Sequence, residues 1–337
     1  MKSKIYPFLV WIAAIILISC SKKDPSPAKS NTNTNTSIDA DVYLVGSSEA
    51  SNGDNLATYW KNDTATILPN PYNITGTAKV IAINGKDVYI GGYMGNHGQY
   101  SGACYWKNNV MTDLNASTNS VVFAITVSNG NIYTAGMSGL YPASWENQTT
   151  LPIQSLSHSS GNAIALNGND VYVAGYTLAN DNYCFAAYWK NGIVTKLTTE
   201  TEVANANAIA VNGTDVYVAG YIVDANGNAI ATSWKNGVAS TLGGSKSMAN
   251  AIAINGSDVF IAGYDSDKAV YWKNGKENVL PLNSSLVFVS SIAFKGTDVY
   301  IGGYTAAGPI YWKNGVATQL AKPDNVLYPE NVIIVPH

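Results

Sequence analysis

A Trp followed by Lys-Asn, or in one copy by Glu-Asn, recurs at Trp60, Trp106, Trp145, Trp189, Trp234, Trp272 and Trp312. The copies stand about 40 to 45 residues apart, the period of a four-stranded propeller blade. Nothing else in the sequence narrows the fold as far. A chain of near-copies must stack them, in an open row or in a closed ring, because a single small sheet cannot bury both of its faces.

The copy at residues 208–242 shows what one unit contains. An apolar run, Ala208-Ile209-Ala210-Val211, leads into Asn212-Gly213, a pair suited to the positive φ of a tight reversal. A run rich in β-branched and aromatic residues follows from Asp215 to Tyr221, then a loop of variable length. A third strand ends at Ser233-Trp234-Lys235, a second Asn-Gly turns it, and a fourth runs back to Leu242. No helical period appears. We label the four strands A to D.

The chain ends decide between row and ring. The first copy opens directly on strand B, Asp41-Val42-Tyr43, and the last copy is followed by Asn331-Val332-Ile333-Ile334-Val335, which fits the missing strand A. A C-terminal strand that completes the N-terminal sheet removes exposed edges. The prediction is an all-β fold, a single seven-bladed β-propeller of four-stranded blades over residues 38–337, with blade 1 closed by the C-terminal strand.

Ahead of the repeats, Lys2 and Lys4 precede an apolar run over residues 7–18 and then Ser19-Cys20. The run is shorter than the ~20 residues that span a bilayer as a helix, so residues 1–19 read as a signal peptide. Leu17-Ile18-Ser19-Cys20 resembles the lipobox of bacterial lipoproteins. That resemblance implies cleavage before Cys20, lipid attachment there, and a place in the bacterial cell envelope, on the periplasmic side or the cell surface. Residues 20–37 carry this cysteine and a polar, low-complexity stretch that reads as a disordered tether.

Composition excludes several functions. The formal net charge is -3 and all 19 basic residues are Lys, so neither nucleic acid nor an anionic surface is an expected partner. Without Arg there is no bidentate fork for carboxylate, sulfate or phosphate. Cys104 and Cys184 fall in blades 2 and 4, which are not neighbours in a seven-fold ring, and read as separate buried thiols. His97, His158 and His337 lie far apart and form no metal-ligand spacing. Asp224, Asn226 and Asn228 alternate like the opening of a calcium loop but lack its later bidentate Glu, so a plain hairpin tip is the simpler reading and calcium the other.

The turns divide by face. A–B and C–D turns are mostly uniform Asn-Gly pairs at one end of the sheets, whereas B–C and D–A connections vary in length and composition at the other. Variable loops on a rigid scaffold are where specificity sits, which assigns binding to the B–C and D–A face. At the mouth of the channel on that face we expect Lys79, Phe123, Asn162, Asn207, Asn250, Ser290 and Asn331, a polar ring whose amides serve either a ligand or the neighbouring loop backbone. The repeated Asp of Asp-Val-Tyr reads as an acceptor for turn N–H groups, the repeated Lys as a solvated head, and the Trp residues as wedges between blades.

The pattern A-I-A-x-N-G-x-D-V-Y-V-A-G-Y, present at residues 208–221 and nearly intact at 163–176, resembles the bacterial seven-bladed β-propeller repeat family. Trp-Lys-Asn-Gly followed by Leu, as in residues 234–244, is similar to a class of extracellular repeats with a W-x-N-G signature. The resemblance covers about residues 40–337; it implies the fold and carries over no catalytic residue.

The expected function is non-enzymatic: an envelope lipoprotein whose propeller binds a glycan or protein ligand. Two alternatives stay open. One is a polysaccharide lyase or hydrolase using loop acids such as Asp54, Asp181, Glu200 and Asp224; the other is a structural subunit of an envelope complex.

Overall fold

The computed structural model describes residues 39–71, 75–95, 102–114, 116, 119–154, 158–180 and 183–337. The expected signal peptide over residues 1–19, Cys20, the expected tether to residue 37, His97 and Asp181 lie outside them. Ala40–His337 form one compact unit of seven four-stranded antiparallel sheets. Each sheet runs A-B-C-D, and strand A of every blade meets strand A of both neighbours, which makes the A strands innermost.

Blade 1 is built from both ends of the chain. Its strand A, Val326–Pro336, pairs antiparallel with strand B, Ala40–Glu49, in a register that sets Tyr43 opposite Ile333 and Leu44 opposite Val332. The ring is closed as the sequence predicts. Blade 5 shows the regular unit: Ala204–Asn212, Asp215–Val223, Ala229–Lys235 and Val238–Ser245.

The Asn-Gly dipeptide is used in two registers. In the C–D turn of blade 5, Lys235 pairs with Val238 and the loop is Asn236-Gly237, with φ of 50° and 83°, as a type I′ turn requires at both central residues. In the A–B turn, Asn212 still pairs with Asp215, so the loop is Gly213-Thr214 and only Gly213 has positive φ. That is the type II′ pattern.

The seven indoles lie between blades, as expected, and each is at most 1% exposed. Each packs against the preceding blade. Trp106 meets Leu68, Trp145 meets Leu114, Trp234 meets Leu197 and Trp312 meets Leu280. This pairing explains why a Leu follows the Trp-Lys-Asn-Gly motif: it seats the indole of the next copy. Full burial of one indole removes ~150–250 Å² from water, a gross gain of roughly 4–6 kcal/mol before entropy.

The repeated Asp plays a different part from the one expected. Rather than capping its own A–B turn, Asp215 accepts from Asn236 Nδ2 at 2.8 Å and lies 2.8 Å from Lys235 Nζ, two partners from the C–D side of the sheet. Asn236 also accepts from the backbone N of Val216 at 2.8 Å. Lys235 sits 5.2 Å from the ring centroid of Tyr217, its cross-strand neighbour, rather than over the adjacent indole. Six blades repeat this Asp–Lys–aromatic set. The ion pairs to Lys190, Lys235 and Lys273 hold the carboxyls of Asp170, Asp215 and Asp258 below the usual range.

Candidate functional site at the channel mouth

At the level of the expected ring, every strand A carries one extra residue against strand B. In blade 5 the register jumps between Ala206 and Ala208, so Asn207 is bulged; the same break isolates Lys79, Phe123, Asn162, Asn250 and Ser290. A bulge re-aims a side chain out of the strand's alternation. It also presses the strand A carbonyl onto strand B, where only glycine fits. A Cβ on Gly220 would lie 1.9 Å from the Asn205 carbonyl oxygen, and one on Gly175 1.8 Å from that of Ser160. The Gly of the Ala-Gly-Tyr motif is thus the imprint of the bulge that builds the ring.

In blade 1 the bulged residue is Glu330, because Pro329 pairs with Gly46 and Asn331 with Val45. The ring position expected for Asn331 therefore belongs to Glu330. The one-residue slip arises because strand A of blade 1 has no Asn-Gly turn after it to count back from. Asn331 instead enters the ladder, with its Oδ1 buried and unpaired.

From blade 4 round through blade 1 to blade 2, the ring side chains link each blade to the next. Asn162 Nδ2 donates to the Ala206 carbonyl at 3.1 Å and to Asn205 Oδ1 at 2.7 Å. Asn207 donates to Ala249 O at 3.0 Å, and Asn250 to Val289 O at 3.1 Å. The Ser290 hydroxyl donates to Val332 O at 2.8 Å and accepts from Val332 N at 3.0 Å. Between blades 1 and 2 the link is ionic, Lys79 Nζ to Glu330 Oε1 at 2.5 Å. A second tier joins the opposite ends of the same strands: Asn167, Asn212 and Asn255 donate to the carbonyls of Gly213, Gly256 and Gly296.

The amide N–H groups are engaged between blades, and Asn162 Oδ1 and Asn250 Oδ1 already accept from the Ser160 hydroxyl at 3.0 Å and Asn207 Nδ2 at 3.4 Å. The ring therefore has left to offer Asn207 Oδ1 and a second lone pair on the other two amide oxygens. Such a ring suits ligands rich in hydroxyl donors. Phe123 interrupts it with an apolar, half-buried side chain on blade 3.

Around this ring the loops expose aromatic and aliphatic groups that sequence reasoning did not single out. Tyr141 (57% exposed) and Tyr183 (38%) open the C strands of neighbouring blades 3 and 4, and Tyr328 (40%) lies on the D–A side of blade 1. Inside them runs a row of strand B tyrosines, foreshadowed by the recurring Gly-Tyr. Burial raises the phenols of Tyr176 and Tyr264, and pushes Tyr221 and Tyr304 up to about 12.

The loop acids are engaged one by one. Asp54 accepts from Asn52 Nδ2 at 2.7 Å, Glu200 pairs with Lys196, and Asp224 Oδ1 accepts from the backbone of Asn226 and Asn228 at 2.8 and 2.9 Å. Those last two bonds close the hairpin tip that resembles a calcium loop. Asp54 stands on blade 1 and Asp224 on blade 5, which are not neighbours in the ring. Among the described residues no three His, Cys, Asp or Glu side chains gather as a metal site. Cys104 and Cys184 are separate, buried thiols whose ionisation burial opposes.

No protein-family model matches the chain, and no curated protein does. Among solved structures it is similar to a puromycin-hydrolyzing peptidase of Mycobacterium tuberculosis, with 9% identity, 86% of this chain covered and a TM-score of 0.56. The chain spans 53% of that peptidase's length. It also matches YjhT at 13% identity, covering 80% of this chain and 99% of that one, with a TM-score of 0.42. The seven sheets and the likeness to the peptidase define the class as a seven-bladed β-propeller and nothing finer.

Proposed function

We propose that this chain is a lipid-anchored propeller of the bacterial cell envelope that binds a neutral glycan across its B–C and D–A face without turning it over. The lipobox-like Cys20 and the polar tether motivate the anchor. The observation that supports the binding reading is the bulge in every strand A, which re-aims a set of mostly polar side chains on the innermost strands, together with the exposed Tyr141, Tyr183 and Tyr328 on the same variable-loop side. Aromatic faces with hydroxyl acceptors between them suit sugars, and a chain without Arg disfavours strongly acidic polymers.

A glycan array probed with the full chain is the test. Saturable binding of neutral oligosaccharides, lowered by Tyr141→Ala and by Tyr183→Ala, is the expected result. Both side chains are exposed, so the variants should fold. Failure to bind any glycan, or release of cleaved sugar on incubation, would overturn the reading.

A further inference from the structure

Blade 3 departs from the other six on the face opposite the channel mouth just described. There Asn131 stands in place of the Asp and Glu146 in place of the Lys. The exchange is compensated: Asn131 Nδ2 and the Tyr133 hydroxyl both donate to Glu146 Oε1, at 2.7 and 3.0 Å. Swapping the charge of the long side chain while neutralising the short one keeps the sheet hydrogen-bonded. It also leaves a carboxylate with no cationic partner among the described residues, and with Oε2 unused.

Glu146 lines a cleft of about 210 Å³ between blades 3 and 4. Its lining joins the partly exposed apolar side chains of Val171 and Ile153, over the buried Trp189 and Val173, to the polar Ser144 and Asn169. The divergent copy and the cleft coincide, and the cleft combines one anion with an aliphatic surface. A bare metal ion would want several oxygens and no such apolar lining. A cation on a short hydrocarbon stem satisfies both halves.

We propose that this cleft binds a primary alkylammonium group, its charge on Glu146 and its carbon chain along Val171 and Ile153. The group could be presented by a free amine or by a lysine side chain of another protein; the chemistry recognised is the same. This site is independent of glycan binding on the other face.

The test titrates the full chain with n-butylammonium chloride and, separately, with Nα-acetyl-lysine methylamide, reading amide shifts by NMR and affinity by calorimetry. The amides of Ile153, Val171 and Gly192 should shift saturably, and 1-butanol should bind about tenfold more weakly, as should the ammonium ions to Glu146→Gln. The paired change Asn131→Asp with Glu146→Lys restores the arrangement of the other six blades and should fold yet bind neither ammonium. Tighter binding of the lysine derivative would assign a protein partner, and tighter binding of butylammonium a free amine. Absence of shifts at these amides, equal affinity for 1-butanol, or binding retained in either variant would overturn the proposal.

Discussion

Lys79 and Glu330 lie 2.5 Å apart across the junction of blades 2 and 1, the place where a residue near the C-terminus meets the second copy of the repeat. From blade 4 round to blade 1 the tier is held by amide and hydroxyl hydrogen bonds; here it is held by charge. Both side chains are about a fifth exposed, 18% and 25%, so water screens the pair only in part. A double-mutant cycle with Lys79→Ala and Glu330→Ala should give a coupling of about 1 kcal/mol in urea unfolding, at the upper end for surface pairs. A coupling indistinguishable from zero would mean that the pair does not help hold the ring.

The bulge makes a sharper demand. Gly220→Ala places a methyl 1.9 Å from the Asn205 carbonyl oxygen, so strand A must move or lose its bulge. Gly237→Ala meets nothing within 4 Å and suffers only from its φ of +83°. The first should cost about 3 kcal/mol or more and the second about 1 kcal/mol. Urea midpoints of the two variants check the order.

The indoles are not equivalent. Trp189 donates its Nε1–H to the Gln154 carbonyl at 2.7 Å, whereas Nε1 of Trp234 is buried without a partner. Replacement by Phe removes similar volume from each site. Trp189→Phe also strands a carbonyl, and should therefore be the more destabilising by about 1 kcal/mol. Thermal melts of the two variants measure the difference.

How far the residues alone could reach is visible in these same elements. Trp, Leu and Asn-Gly recur because every blade solves one packing problem, so period, blade number and closure were all legible. Register was not: counting back from a turn places the ring residue in six blades, but the strand beginning at Val326 has no following turn, and Glu330 was missed by one. The roles of Asp215 and Lys235 were hidden too, since their partners come from the opposite hairpin, a relation of pairing rather than spacing. The cleft beside Glu146 is three-dimensional, and blade 3 registered only as the divergent copy.

Alkali should expose the buried tyrosines. Tyr221 and Tyr304 are held neutral up to about 12, burial being the main cause, against ~10 for tyrosine in an unfolded chain. A phenol whose folded value is raised contributes its full stability below the unfolded value and loses it as pH climbs towards the folded one. Stability should thus fall between about pH 10 and 12, with late phenolate absorbance appearing together with loss of structure. The Tyr304 hydroxyl is buried without a partner, so Tyr304→Phe should raise stability by about 1 kcal/mol and flatten the alkaline decline.

Ring, faces and site all rest on the C-terminal strand lying against the N-terminal one. Native-state hydrogen exchange read at single amides tests that pairing most directly. Ile333 and Val335 should be protected as strongly as the hydrogen-bonded amides of the inner strand Ala204–Asn212, and Tyr43, opposite Ile333, with them. Exchange of Ile333 and Val335 at the rate of an unstructured chain, while Ala204–Asn212 stays protected, would contradict a closed ring of seven blades.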